Sequence, residues 1–98
     1  MRPKKIRWVR CDPSERYFKP QHRPAGPEGV VLSLDEFEAI RLLDYEGLSQ
    51  TKAAGIMHVH RSTVSRIVAC ARRKIARGLV EIKSLKIEGG CCRVIKER

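Results

Sequence analysis

The sequence predicts a mainly α domain: three helices, the last two joined as a helix-turn-helix, with short flanking β-strands. Three observations predict it. Apolar residues recur at helical spacing in two stretches, Leu34-Phe37-Ile40-Leu43 and Val64-Ile67-Val68-Ala71-Ile75-Leu79. Serines stand where helices would begin, at Ser33 and Ser49. Only His58-Val59-His60 separates the second helical stretch from the third.

The elements follow in chain order. Residues 1–29 carry all five prolines and read as a basic arm or loop, with Ile6-Arg7-Trp8-Val9 as a candidate short strand. Residues 30–90 form the folded domain, opened by the β-leaning Val30-Val31-Leu32. Ser33 and Glu36 make a capping box, and Asp35, Glu36 and Glu38 suit the positive end of a helix dipole. Gly47 ends this first helix or stands just beyond it. Ser49 caps a shorter second helix through about Met57, where Ala53 and Ala54 allow a close helix approach. The third helix runs from about Arg61 to Leu79 or Val80, and Gly78 suggests fraying near its end. Leu85 and Ile87 alternate around Lys86 in a short strand stopped by Gly89-Gly90, with 30–32 or 6–9 as its natural partner. Residues 91–98 read as a loose tail.

Charge is distributed unevenly. The 98 residues carry a net charge of +10. Residues 24–48 hold one Arg against six acids, whereas residues 49–80 hold seven Lys/Arg and no acid. A generic soluble surface mixes both signs, so an acid-free stretch that includes a helix points to an anionic partner.

At about 100° per residue, Ser62, Arg66, Arg73 and Arg77 fall opposite the apolar stripe of the third helix. A short helix, a tight turn and a basic amphipathic helix can place the first turns of the last helix in the major groove of DNA. Arg61, Ser62, Thr63, Ser65 and Arg66 are then the candidates for the groove, with Arg66 and Ser62 best placed for base edges. Arg72, Arg73, Lys74 and Arg77 lie further along and suit phosphates, as do Gln50 and Lys52 at the start of the second helix. Arg2, Lys4, Lys5 and Arg7 form the basic arm, of a kind that can follow phosphates or enter a minor groove. The expectation is sequence-specific binding of duplex DNA by a transcriptional regulator. A sigma-like adaptor that uses the acidic first helix, and RNA binding by the basic face, are the alternatives.

Gln50-Thr-Lys-Ala-Ala-Gly-Ile-Met57, Val59 and Arg61-Ser-Thr-Val-Ser-Arg-Ile67 resemble the helix-turn-helix of the fourth region of sigma-70-type factors. Further motifs, Tyr17-Phe-Lys-Pro20, Leu32 to Leu42, Asp44-Tyr-Glu-Gly-Leu48, Ala71 to Ala76 and Leu85-Lys-Ile-Glu-Gly-Gly90, resemble a small prokaryotic family, Domain of Unknown Function 134. That resemblance implies a prokaryotic source, a sigma-region-4-like fold and DNA binding. Two residues depart from the family pattern. His58 stands where the family turn has glycine, and His60 where it has serine, a better helix cap.

Cys11, Cys91 and Cys92, with His22 as a fourth, are candidate metal ligands, but adjacent Cys91-Cys92 lacks the gap that a zinc site uses, so no metal site is expected. Cys70 falls on the flank of the third helix as a small filler. No cofactor is expected. No phosphate loop, dinucleotide glycine pattern or zinc-protease histidine pair occurs, so an enzyme is not expected. No segment reads as a membrane span or a signal sequence, which gives a cytoplasmic expectation with reduced cysteines. The expected partners are double-stranded DNA and, under the adaptor reading, transcription machinery. A symmetric operator would call for a homodimer, with the terminal strand region as its candidate surface.

Overall fold

Local signals set the helix starts. Ser33 is the N-cap of α1 (Leu34–Ile40), and the Glu36 carboxylate reaches back to accept the Ser33 amide at 2.9 Å. Ser49 caps α2 (Gln50–Met57) by accepting the Lys52 amide at 3.1 Å. α3 (Arg61–Glu81) follows after three residues. The computed structural model describes residues 6–10, 16–21, 29–90 and 92–94, with the backbone alone at Cys92 and Arg93.

Among the described residues five short strands accompany the helices: β1 (Arg7–Val9), β2 (Arg16–Phe18), β3 (Val30–Leu32), β4 (Leu85–Ile87) and β5 (Cys92–Val94). β4 lies between the other two strands of its sheet, antiparallel to β2 and parallel to β3. β1 pairs in parallel with β5. The strand at 85–87 thus takes 30–32 as a partner, as expected, but its second neighbour is 16–18. The stretch 6–9 goes instead to 92–94. The arm at 1–29 therefore contains two strands, and the tail at 91–98 contributes a third. Three-residue strands carry almost no periodic signal, and their backbone groups require partners that spacing cannot name.

α1 does not end in an ordinary α-turn. Residues Arg41–Tyr45 form a wider π-helical turn, in which the Glu46 amide donates to the Arg41 carbonyl at 2.8 Å. Gly47 follows with φ +75°, a left-handed conformation that suits glycine.

The core has two parts. Ala39, Leu42, Ala53, Ala54, Met57, Val64, Ile67 and Val68 pack α1, the π-turn, α2 and the first half of α3 together. Leu32, Ala71 and Ile87 pack the middle of α3 against the three-stranded sheet. Ile40 touches both clusters. Two expectations for the end of α3 are corrected. Leu79, placed in the apolar stripe, is 70% exposed. Gly78, expected to fray the helix, is buried, and α3 continues to Glu81. A Cβ at position 78 would lie 2.6 Å from Leu85 Cδ2, so this glycine lets the strand that follows pack against the helix backbone. The last buried position of the helix is then Gly78, and Leu79 lies about 100° round from it. Among the described residues no helix is long and apolar enough to cross a membrane.

Candidate nucleic-acid interface

The turn between α2 and α3 fixes the attitude of α3. His58 closes α2 in the left-handed conformation, φ 58° and ψ 44°. A histidine there is less at ease than glycine. It is held by Trp8 of β1, whose ring stacks on the imidazole with centroids 3.5 Å apart and planes at 17°. The histidine at position 58 thus ties the first strand to the turn. His60 is extended and N-caps α3 with no side-chain hydrogen bond; its carbonyl accepts the Thr63 and Val64 amides at 3.0 and 3.1 Å.

On α3, Val64, Ile67, Val68, Ala71 and Gly78 face inward. Arg61, Ser62, Ser65, Arg66, Arg72, Arg73 and Arg77 are exposed; Thr63 and Lys74 are half-buried on the flank. Their order round the helix is informative. Ser62, Ala69 and Ala76 form a low strip along the centre of the outer face, all exposed. Arg61 and Arg72 stand on one side of it, and Arg66, Arg73 and Arg77 on the other, the two rows about 130° apart at 100° per residue. Gln50 is half-buried and Lys52 exposed at the start of α2.

The cations of α3 differ in what they touch. The Arg72 guanidinium grips Asp44 with two hydrogen bonds, Nε at 3.1 Å and Nη2 at 2.6 Å. Arg72 beside it holds the Asp44 carboxyl below its ordinary value, and Asp44 raises Arg72 in turn. Lys74 Nζ donates to Glu36 at 2.8 Å. Burial would raise the Glu36 carboxyl, but the Lys74 ammonium, the Ser33 amide and hydroxyl and the Cys70 thiol together hold it below its ordinary value. The Glu36 hydrogen bond pushes the Cys70 thiol up, and Lys74 is raised mainly by Glu36. Arg77 reaches Glu81 at 3.4 Å. Among the described residues Arg61, Arg66 and Arg73 have no such partner. Arg66 and Lys74 line one wall of a cleft of about 340 Å³, with Arg7, Asp35 and Glu36 on the other.

Arg7, expected on a basic arm, sits in β1 with its guanidinium bonded to Asp35. Arg2, Lys4 and Lys5 lie outside the described residues, as do Cys11, His22, Cys91 and the side chain of Cys92. The acids of α1 turn inward. Asp35, Glu36 and Glu38 are all buried, and Glu38 accepts two bonds from Arg41, at 2.7 and 3.0 Å, and one from the Arg10 amide at 2.6 Å. Sequence reasoning placed these acids at a helix dipole and missed Asp44 and Glu36 as partners of α3. An acidic block at 35–46 followed by an acid-free block was the available sign that the two would face each other.

The family described as "Protein of unknown function DUF134" matches residues 1–94. The chain is similar to a UPF0251 protein of Caldanaerobacter subterraneus subsp. tengcongensis, 48% identical over 97 residues, 98% of this chain and 82% of that one. A UPF0251 protein of Thermoanaerobacter sp. is 46% identical over 97 residues, 98% and 86% of the two chains. One of Halothermothrix orenii is 49% identical over 96 residues, 97% and 71% of the two chains. No solved structure matches.

Proposed function

Starting from the fact that the chain belongs to the DUF134 family, we propose that it binds duplex DNA sequence-specifically as a transcriptional regulator, with α2 and α3 acting as a helix-turn-helix of the sigma-region-4 kind. One observation carries the reading: the outer face of α3 is a low strip of Ser62, Ala69 and Ala76 between two rows of exposed arginines. A helix is about 10–12 Å across with its side chains, close to the ~12 Å width of the major groove. Small residues at the centre let the helix sink toward the bases. Arginines on both sides then reach the two sugar-phosphate strands, or fork onto guanine. Arg66 and Ser62 read bases; Thr63, Ser65 and Arg61 flank them in the first turns. Arg73, Lys52 and Gln50 meet phosphates, and Arg72, Lys74 and Arg77 do so once they exchange a carboxylate for a phosphate.

The adaptor alternative drew on the acids of α1. Those acids are engaged with Arg7, Lys74, Arg41 and Arg72 of the same molecule. They offer little free charge to a partner, so DNA is the reading preferred here.

The test is fluorescence anisotropy with duplexes selected from a random pool. Affinity should fall steeply with salt, because neutralised phosphates release counterions. Arg66→Ala should flatten the sequence preference, while Arg73→Ala should weaken all duplexes alike. An absence of binding at low salt, or preference for structured RNA in direct competition, would end this reading.

A further inference from the structure

The cleft between α1 and α3, about 340 Å³, has a lining that sorts into engaged and unengaged groups. Arg7 is bonded to Asp35, and Lys74 to Glu36. The Ser33 hydroxyl bonds to both carboxylates and joins the two pairs into one network. Two cations there offset two acids, so the network presents no net charge to a ligand. Thr63 and Arg66 are different. They stand about one turn apart on α3 and line the same cleft. Among the described residues neither side chain has a hydrogen bond or an ion pair.

The network is costly to build. Asp35 and Glu36 are 5% and 7% exposed. Carboxylates taken out of water to be paired are often no more stabilising than apolar residues of the same volume. Their polar atoms are nevertheless all satisfied. A satisfied network of this kind is rigid, so the cleft has its shape before anything enters it.

We propose that the cleft binds a small sugar phosphate, its phosphate on Arg66 and Thr63 and its hydroxyl groups on the network. The guanidinium fork offers two parallel donors and the Thr63 hydroxyl a third. A phosphate monoester has three terminal oxygens to receive them, a carboxylate only two. Beyond that head the lining is polar but balanced in charge, which suits hydroxyls better than a second charged group. Among the described residues no aromatic side chain lines the cleft, so a nucleobase has no ring to stack on. The volume lies at the low end of the ~300–1,000 Å³ of small-ligand pockets, the size of a single sugar ring rather than a dinucleotide. A phosphate held on Arg66 would also withhold that guanidinium from a duplex, so sugar phosphate and DNA exclude each other. This exclusion rests on the DNA reading; the ligand site does not.

The test is titration calorimetry on the full chain at low ionic strength, with no DNA present. Ribose 5-phosphate or glucose 6-phosphate should bind at least about tenfold more tightly than inorganic phosphate or free ribose. Adenosine monophosphate, which adds a base to the same ribose phosphate, should gain nothing. Arg66→Ala should weaken the sugar phosphate by about tenfold or more, and Arg66→Lys should not restore it, because an ammonium lacks the fork. Thr63→Val should weaken it by about three- to tenfold. Lys86→Ala, on the sheet and away from the cleft, should leave it unchanged. The proposal is overturned if neither sugar phosphate exceeds inorganic phosphate, if the adenosine compound binds more tightly, or if Lys86→Ala costs as much as Arg66→Ala. A second arm adds the sugar phosphate to a labelled duplex bound to the protein, where it should displace the duplex. Binding of both together overturns the sharing of Arg66. A protein that binds the sugar phosphate but no duplex defeats the DNA reading and leaves the cleft assigned.

Discussion

Arg66 and Arg73 share a helix with Arg72 and Lys74, a few positions apart, yet their surroundings are opposite. Arg72 and Lys74 each rest on a carboxylate brought by the α1 segment. Arg66 and Arg73 face outward with no described partner. The difference teaches how a chain with surplus positive charge distributes work among similar residues. Acids delivered by a neighbouring element occupy some cations, which then hold the helices together. The cations beyond their reach remain available to an external anion. Composition alone treats the four as equivalent.

Charge removal on the free side should have the largest effect. Arg66→Ala with Arg73→Ala is expected to weaken duplex binding by about 10- to 100-fold, with the thermal melting curve unchanged. Anisotropy at fixed salt and circular dichroism on the same samples read both. The comparison breaks if Arg72→Ala with Lys74→Ala costs as much DNA affinity and as little stability.

On the occupied side the loss should appear in stability. Glu36→Ala leaves the Ser33 amide and Lys74 without their acceptor, and should cost about 2 kcal/mol in urea unfolding. It should also lower the Cys70 thiol pKa, since Glu36 is what pushes it up. Alkylation of Cys70 by iodoacetamide should then be faster in the variant than in the parent chain.

Acid provides a finer probe of the same site. Glu36 titrates below its unfolded value of about 4.3. Its contribution is therefore complete above that value and is lost as pH falls through the lower, folded one. Unfolding free energy measured from neutral pH into this range should decline less steeply for Glu36→Gln than for the parent. A parallel decline in both would place the acid sensitivity elsewhere.

The smallest effect is expected at Asp44, whose pairing with Arg72 is exposed. Asp44→Ala should change stability by less than about 1 kcal/mol. It also frees Arg72, so non-specific DNA affinity should rise by about two- to fivefold at low salt. Weaker binding by this variant would show that the pair orients Arg72 for DNA rather than withholding it.

How far these surroundings could be read in advance follows from the range of each signal. The Ser33 and Ser49 caps, the start of α3 and most of its buried stripe were legible, because caps and helical spacing act over a few residues. The pairing of β2 with β4 and of β1 with β5 was not, because register between distant three-residue strands leaves no local trace. Gly78 read as a weak point of the helix, since its role depends on Leu85 arriving from outside. The candidate groove residues could be named from one face of one helix. Which of their neighbours were already occupied depended on Asp44 and Glu36, far away in sequence.

The parallel pairing of β1 with β5 has a consequence for assembly. Most of the chain lies between Arg7 and Cys92, which sit side by side. During synthesis the three helices can collapse on their local contacts, while β1 waits for residues 92–94 to leave the ribosome. Closing so long a loop is entropically slow compared with helix formation. Trp8 belongs to that waiting strand and comes to rest against His58. In refolding from urea, the change in indole fluorescence should trail the appearance of helical signal, so that the turn ahead of α3 is clasped last.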